Sequence, residues 1–482
     1  MQYKWIVLSN TTLGTLMASL DTNIVLVALP TISRELKGTS FFDLLWILLG
    51  YQLVNGSLLV NFGRLSDMFG RVRLYTFGFA LFTAASALSS LSQTGEQLIV
   101  FRLLQGVGSA FLFSNSGAII TDAFPEEERG KALGINQVSI VIGTLLGLVL
   151  GGVLTAAAGW QSIFYVNIPI GIFATVWSHY KLKELGTIRK GQKIDVIGNV
   201  TFAGGLATTL VAISLYAVSV IAFDPFVLLL GLGLLLIVAF VFTERRVKQP
   251  MLDFSLFKIR LFTAGTVASL MNALARGAVT LVLIFYLQGP SMHLDALQAG
   301  IFLIPLSVSI ALLGPLSGYL SDKYGPRFFA TSGLIVSSAG FLVLSTVGRT
   351  ITFWQLAVPL SLVGAGIGLF QSPNRASVLN AAPAWARGIA TGTTTTTFIA
   401  GASFSLGVAF FIMTKGVPIG DLQTIFVGGT ALSNAPWIGS FINSIHEVYY
   451  LSTAFLLIGI IPSVLRGPSA HHGEAEEVEP EV

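Results

Sequence analysis

The chain alternates long apolar runs with short polar punctuation. A helix that crosses a bilayer core of ~30 Å needs about 20 residues. Runs of that order fall at 5–29, 44–63, 74–92, 97–121, 131–157, 162–180, 196–220, 225–243, 261–287, 297–320, 328–347, 353–373, 391–413 and 446–465. The pattern predicts fourteen membrane-spanning helices, spans 1 to 14. Segment 414–445 is apolar and glycine-rich, with room for a hairpin or a re-entrant piece.

The punctuation is written twice. Gly63, Leu65, Ser66, Asp67, Gly70 and Arg71-Val72-Arg73, between spans 2 and 3, return 255 residues later as Gly318, Leu320, Ser321, Asp322, Gly325 and Arg327, between spans 10 and 11. Pro125, Arg129, Gly130, Ala132 and Gly134 return 258 residues later as Pro383, Arg387, Gly388, Ala390 and Gly392. Two matched signatures in one order mark a duplicated unit. A plain doubling of six spans would put the second copy between spans 8 and 9, so spans 7 and 8, at roughly 196–243, are inserted between the halves. The organisation predicted is an N-terminal six-helix bundle over 1–183, two inserted helices with flanking loops over 184–260, a C-terminal six-helix bundle over 261–466 and a disordered acidic tail over 467–482. Duplicated apolar bundles are a transporter architecture, with a substrate path between the halves.

Composition agrees. Of 482 residues, 53% are hydrophobic and 10% charged, against about 25% charged in soluble domains, and mean hydropathy is +0.79. The fold class is therefore an all-α integral membrane protein. The absence of cysteine excludes disulfides and thiolate chemistry. The formal +4 is spread over loops and gives no nucleic-acid signal. Span 1 is too long for a signal-peptide core and contains Asp21, so it is kept as a mature helix. With the N-terminus inside, twenty-one of the 27 Lys and Arg lie on the cytoplasmic side and only Arg34, Lys37, Arg349 and Lys415 outside. That bias puts both termini on the cytoplasmic side, and the cell membrane is the expected location. The five histidines lack ligand spacing, including His471 and His472 in the tail, and no phosphate-cradling glycine loop follows a strand. No enzyme, ATP-driven pump, cofactor or metal is expected.

A few residues carry candidate chemistry. Asp21 is the one carboxylate deep in a predicted span. A charge there costs several kcal/mol unless paired or protonated. Proton binding and release is the leading reading, a structural hydrogen bond the other. Arg102, early in span 4, either biases the protonation of Asp21 or bonds to backbone carbonyls. The repeat offset carries Asp21 onto Arg276, in the middle of span 9. Arg276 is thus a candidate charge partner for Asp21 in the cavity, or is bonded to helix carbonyls or an anionic substrate group. Gly143, Gly147 and Gly151, with Gly152, make a flat face on which a helix can pack closely, and Thr393 to Thr397 read as a second packing face. In the signature, Gly63 and Gly70 allow a tight turn, Asp67 can accept from free helix N–H groups, and Arg71 and Arg73 anchor the polar side. Phe285, Tyr286, Phe370 and Phe398 are candidates to line an apolar cavity.

Taken together, these motifs resemble the fourteen-helix drug:proton antiporter branch of the major facilitator superfamily, over nearly the whole length. The match rests on Leu20-Asp21, Asn23, Ala28 and Pro30 in span 1, on Gly63 to Arg73, and on Arg102, Gln105, Gly106 and Gly108 in span 4. It continues through Trp160, Phe164, Asn167 and Pro169 at span 6, Gln288, Gln298 and Pro305 at spans 9 and 10, and Gly364, Gly366, Gly368, Pro373 and Asn374 in span 12. One departure is Leu148, where that branch carries proline; the packing face survives and the proline kink does not. The resemblance implies that Gly63, Asp67, Gly70 and Arg71, with Asp322 in the second copy, latch the bundles on the inner side. It implies a proton-coupled exporter of small, largely apolar compounds that works by alternating access. The partners implied are a small-molecule substrate, protons and membrane lipid, with no nucleic acid, and the protein is expected to be a monomer. A proton-coupled or facilitative importer, and a non-transporting receptor or sensor on the same fold, are the alternatives.

Overall fold

In a bilayer, backbone N–H and C=O groups must be satisfied within the chain, which favours helices. A computed structural model of the protein describes residues 2–186, 195–247, 250, 252, 254–289, 291–383, 387–418, 421 and 436–466, and among them there are helices and turns but no strand. The segment 422–435 and the acidic tail, 467–482, lie outside the described residues. The first half comprises α1 (Tyr3–Glu35), α2 (Phe41–Phe69), α3 (Arg71–Ser90), α4 (Gly95–Ala123), α5 (Glu126–Ala158), α6 (Ser162–Tyr165) and α7 (Asn167–Lys181). The inserted pair is α8 (Val196–Ala217) and α9 (Phe223–Glu244). The second half comprises α10 (Arg260–Arg276), α11 (Val279–Gln288), α12 (Ala296–Tyr324), α13 (Pro326–Leu344), α14 (Phe353–Ala381), α15 (Arg387–Lys415) and the final helix (Ile438–Leu465), labelled α16.

Among the described residues 13 spans are long and apolar enough to cross a membrane, with α10 and α11 counted together. The remaining predicted span, at 162–180, is present in two pieces, α6 and α7. Pro169 has no N–H to give Tyr165 and the helix parts at Val166. Span 9 also parts, just after Arg276, where Gly277 approaches α15 so closely that a Cβ would sit 2.5 Å from the Ala402 carbonyl oxygen. The Ala278 N–H, at this break, is taken up by Ser405 Oγ at 3.1 Å.

The duplication is visible in the helix ends. Ser40 and Asp43 form a capping box on α2; 255 residues later Asp295 and Gln298 form one on α12. Thr94 caps α4 through the Gln97 N–H, and 258 residues later Thr352 and Gln355 cap α14. Gly70 (φ 104°) is the single residue between α2 and α3, and Gly325 (φ 87°) the single residue between α12 and α13. The signature is therefore mostly helix rather than loop. Nothing in Arg64 to Phe69 breaks a helix, so α2 runs through it. Gly63 lies inside α2 with open space around it and makes no turn, contrary to the sequence expectation.

The two halves meet at the end distal to Gly70 and Gly325. Added Cβ atoms at Gly152 and Gly300 would lie 2.5 Å from the Ala296 oxygen and 2.8 Å from the Leu148 oxygen, so α5 and α12 touch backbone to backbone there. Gln288 Nε2 donates to the Val27 carbonyl at 3.0 Å, and Phe41 stacks on Phe410 with ring centroids 4.5 Å apart. The seam between α2 and α15 continues toward the signature end, where Thr396 Oγ1 donates to the Gly56 carbonyl at 3.4 Å. The threonine string thus belongs to a packing face. Across this seam lies α8, through Asn199 Nδ2 to the Ser57 carbonyl at 2.5 Å. Its neighbour α9 packs on α8 and exposes Leu228 and Leu235 to the surroundings.

Packing along the glycine face of α5 is testable. A Cβ at Gly147 would come 2.5 Å from the Leu20 carbonyl oxygen, whereas Gly63 has nothing within 4 Å. Gly147→Val should lower the unfolding temperature of the purified protein, by an overpacking penalty of about 1–3 kcal/mol. Gly63→Ala should leave it unchanged or raise it.

Candidate functional site

The same face fixes the depth and orientation of Asp21. Gly143, Gly147 and Gly151 bring α5 against the carbonyls of Leu16, Leu20 and Ile24, with hypothetical Cβ contacts of 2.6, 2.5 and 2.9 Å. With that side of α1 covered, Asp21 is left to the interior of the first half, where it is fully buried. Arg102 Nη1 on α4 donates to Asp21 Oδ2 at 2.5 Å. Gln105 Nε2, one turn further along α4, donates to Oδ1 at 2.8 Å, and Asn167 Nδ2 donates to the same oxygen at 2.9 Å. Asn167 is the first residue of α7, so the break at Val166 sets the position of this third donor.

Arg102 is held on its other sides as well. Its Nε donates to the Ile47 carbonyl at 3.2 Å and its Nη1 to Gln105 Oε1 at 2.6 Å. Its guanidinium lies 4.2 Å from the Tyr51 ring centroid. Arg102 thus pairs with Asp21 and bonds a backbone carbonyl as well. Gln105 Nε2 also reaches Ser86 Oγ at 2.8 Å, while the Tyr51 hydroxyl donates to Ser109 Oγ at 2.8 Å. The network thus ties together α1, α2, α3, α4 and α7. A buried ion pair survives when its remaining lone pairs and protons are satisfied, and losing one partner typically costs about 3–5 kcal/mol.

At the equivalent positions of the second half the described residues form no such acid-centred network. The repeat offsets carry Arg102 onto Leu360 and Gln105 onto Val363, both fully buried apolar residues. Arg276, equivalent to Asp21, donates through Nη1 to Gln371 Oε1 on α14 at 3.2 Å, and its guanidinium lies 4.9 Å from the Phe398 ring centroid. Among the described residues no ion pair joins Arg276 to Asp21; in this conformation Arg102 occupies that role. Of the four aromatic candidates, Phe285, Tyr286 and Phe370 are packed in the core, and Phe398 meets a charge.

At the signature end, Arg71 Nε donates to Asp67 Oδ1 at 2.7 Å, and Arg71 Nη1 to both carboxylate oxygens of Asp122 at 2.8 Å. The free N–H groups of Arg71 and Val72 at the start of α3 go to Glu184, each at 2.9 Å. Glu184, beyond the end of α7, takes the capping role that the sequence offered to Asp67. These contacts all join parts of the first half and its exit segment. Asp322 lies in α12, with its side chain outside the described residues. No group of three or more His, Cys, Asp or Glu side chains is placed to hold a metal, among the described residues.

Sequence reasoning quoted Gln105 and Asn167 only as motif positions and did not use Ser86 or Gln371. The available signal was a polar side chain inside an apolar span, which in a membrane points inward toward a partner.

A fold of two related halves around an intramembrane polar network is that of a secondary transporter, and the comparisons with known proteins agree. The model of the Major Facilitator Superfamily matches residues 11–407, and the chain belongs to that family. It is a multi-pass membrane transporter rather than an enzyme. It is 33% identical to the "Riboflavin transporter RibZ" of Clostridioides difficile (strain 630), over 85% of this chain and 88% of that one. It is 30% identical to "Multidrug resistance protein 3" of Bacillus subtilis (strain 168), over 94% and 92%. It is 27% identical to the "Tetracenomycin C resistance and export protein" of Streptomyces glaucescens, over 98% and 86%. Among solved structures, an inward-facing bacterial homologue of the human lysosomal transporter Spinster shares the fold, with a TM-score of 0.68 and 16% identity over 96% of this chain and 97% of that one.

The network makes a quantitative prediction. In a double-mutant cycle on the stability of the purified protein, Asp21→Asn and Arg102→Gln should couple by about 1 kcal/mol or more, because the groups touch. Asp21→Asn and Arg276→Gln should add within about 0.5 kcal/mol. The reverse pattern would assign the counter-charge of Asp21 to Arg276.

Proposed function

We propose that the protein is a proton-coupled exporter of small compounds in the cell membrane, with Asp21 as the group that binds and releases the transported proton. The supporting observation is a carboxylate buried in a membrane span and held by Arg102, Gln105 and Asn167. Protonation of Asp21 would leave the Arg102 cation without its counter-charge in a buried site, an arrangement that strongly disfavours this conformation. Six residues from Asp21 along α1, at ~1.5 Å each, is Val27, whose carbonyl takes the Gln288 contact that joins the halves. Movement of α1 against α5 can thus carry the protonation state of Asp21 to the distal seal, where Gly152 meets Ala296. On the orientation read from the Lys and Arg bias, that seal faces outward and the signature end faces the cytoplasm. Asp67 and Arg71, joined to Asp122 within the first half, then serve as that half's side of the inner latch.

In proteoliposomes with an imposed pH gradient, wild-type protein should move substrate against its concentration gradient, with counterflow of protons reported by a trapped pH-sensitive dye. Asp21→Asn should abolish the gradient-driven component and retain exchange of substrate between the two sides. Asp67→Asn, tested alongside, should slow both while insertion remains normal. Equal wild-type transport with the gradient collapsed would remove proton coupling from the proposal.

A second reading, movement of a flavin, is favoured by the relative named as a riboflavin transporter. Riboflavin as the solute in the same vesicles separates the two: uptake that equilibrates without the gradient supports facilitated flavin transport in place of proton-driven export.

A further inference from the structure

The first half holds a carboxylate whose counter-charge is supplied internally. The second half carries two arginines, Arg276 and, at the seam, Arg375, that pair with no acid among the described residues. Arg276, at the end of α10 where the span is broken, has Gln371 Oε1 at 3.2 Å and the Phe398 ring at 4.9 Å. Arg375 is one turn beyond Gln371 on the same face of α14. It is exposed, and its Nη1 donates to Gln137 Oε1 of α5, in the other half, at 2.7 Å. Among the described residues, the ion pairs are Lys4 with Glu128, Arg71 with Asp67 and with Asp122, and Arg102 with Asp21. Both Arg276 and Arg375 therefore make their recorded polar contacts to neutral amides.

The Arg276 guanidinium, in mid-span with only a neutral partner, is poorly compensated. Its natural complement is an oxyanion, which it can take in a forked, charge-assisted pair. Asp21 cannot serve, because its two oxygens are occupied by three donors of its own half. We infer that Arg276 and Arg375 form a binding site, between the halves, for the acidic group of an organic anion, whose apolar body lies along Phe398. This rests on the transport reading and names its substrate class. Arg276 is the anchor, since its span is already opened at Gly277 and the backbone there is satisfied by Ser405. Arg375 contributes the second charge, and an anion that draws it away from Gln137 also releases a contact that ties α14 to α5. A cationic compound would meet two like charges and, among the described residues, no acid paired with them, so the site selects against cations.

The test uses two xanthene dyes of opposite charge, fluorescein (anionic) and pyronin Y (cationic), with the purified full-length chain. Fluorescence anisotropy should show saturable fluorescein binding that pyronin Y does not displace. Arg276→Gln should weaken it about tenfold or more, the loss of one charged hydrogen bond. Arg276→Lys should retain part of the affinity, since the charge remains and the fork does not. Arg375→Gln should weaken it by a smaller factor. Absence of fluorescein binding, unchanged affinity in both glutamine variants, or tighter binding of pyronin Y would each overturn the site. Flux of the same dyes under a pH gradient separates this inference from the transport reading. Proton-driven movement of pyronin Y that Arg276→Gln does not alter keeps the exporter and removes the anion site. Arginine-dependent fluorescein binding without proton-driven flux keeps the site and removes the exporter.

Discussion

A charge inside a membrane protein has to be answered by something nearby, and the architecture of the first half is organised around that requirement. Asp21 and Arg102 are each fully or almost fully buried, at a depth where an unmatched charge would cost several kcal/mol or more. Every nearby irregularity serves to match them. Glycines let α5 cover one side of α1, so the acid is left on the other. Pro169 parts the sixth span and brings Asn167 to the carboxylate. Gln105 both donates to Asp21 and accepts from Arg102, which closes the cycle of contacts.

The two halves share a frame and divide the chemistry. Their helix caps, the glycines at their signature turns and their order of spans correspond at offsets of 255 and 258 residues. At those offsets the acid of the first half becomes a base, and its arginine and glutamine become leucine and valine. Duplication thus supplied a symmetric scaffold on which charge was distributed unequally. The symmetric parts are the ones that determine packing: a turn requiring φ > 0 at Gly70 or Gly325 depends on the backbone alone. The unequal parts are side chains that the packing tolerates in either form.

That distinction also explains what was legible in the sequence. Spans are set by length and hydropathy, which are additive along the chain, so their number and approximate positions could be read directly. The repeat could be read because glycine and proline positions record backbone geometry. The break at Val166 was less visible, because proline is tolerated near the start of a helix and the run of apolar residues continues through it. The break after Arg276 depends on the approach of α15 to Gly277, a tertiary contact that no local pattern encodes. The partner of Asp21 was open for a similar reason. Symmetry pointed to Arg276 and proximity in the fold supplied Arg102, because the rotation of each helix about its own axis decides which side chains converge. Asp67 and Glu184 show the same effect on a smaller scale: both are acids near the start of α3, and the one that reaches its N–H groups comes from more than a hundred residues away.

If proton and substrate are handled as proposed, they are handled in different halves. An exporter whose proton and cationic substrate compete for one carboxylate needs no mechanical link between them, since occupancy by either excludes the other. Here Asp21 is enclosed by its own half, and the arginines that would receive an anion lie in the second. Direct competition is then unavailable, and coupling has to pass through the contacts that change when the halves move. The contacts in position to do so include Val27 with Gln288, Gly152 with Ala296, and Gln137 with Arg375. The first two lie on helices that enclose Asp21, and the third includes a proposed substrate ligand. Protonation would therefore act on the distal seal and substrate on the contact toward the signature end, which places the two ligands at opposite ends of one rocking element.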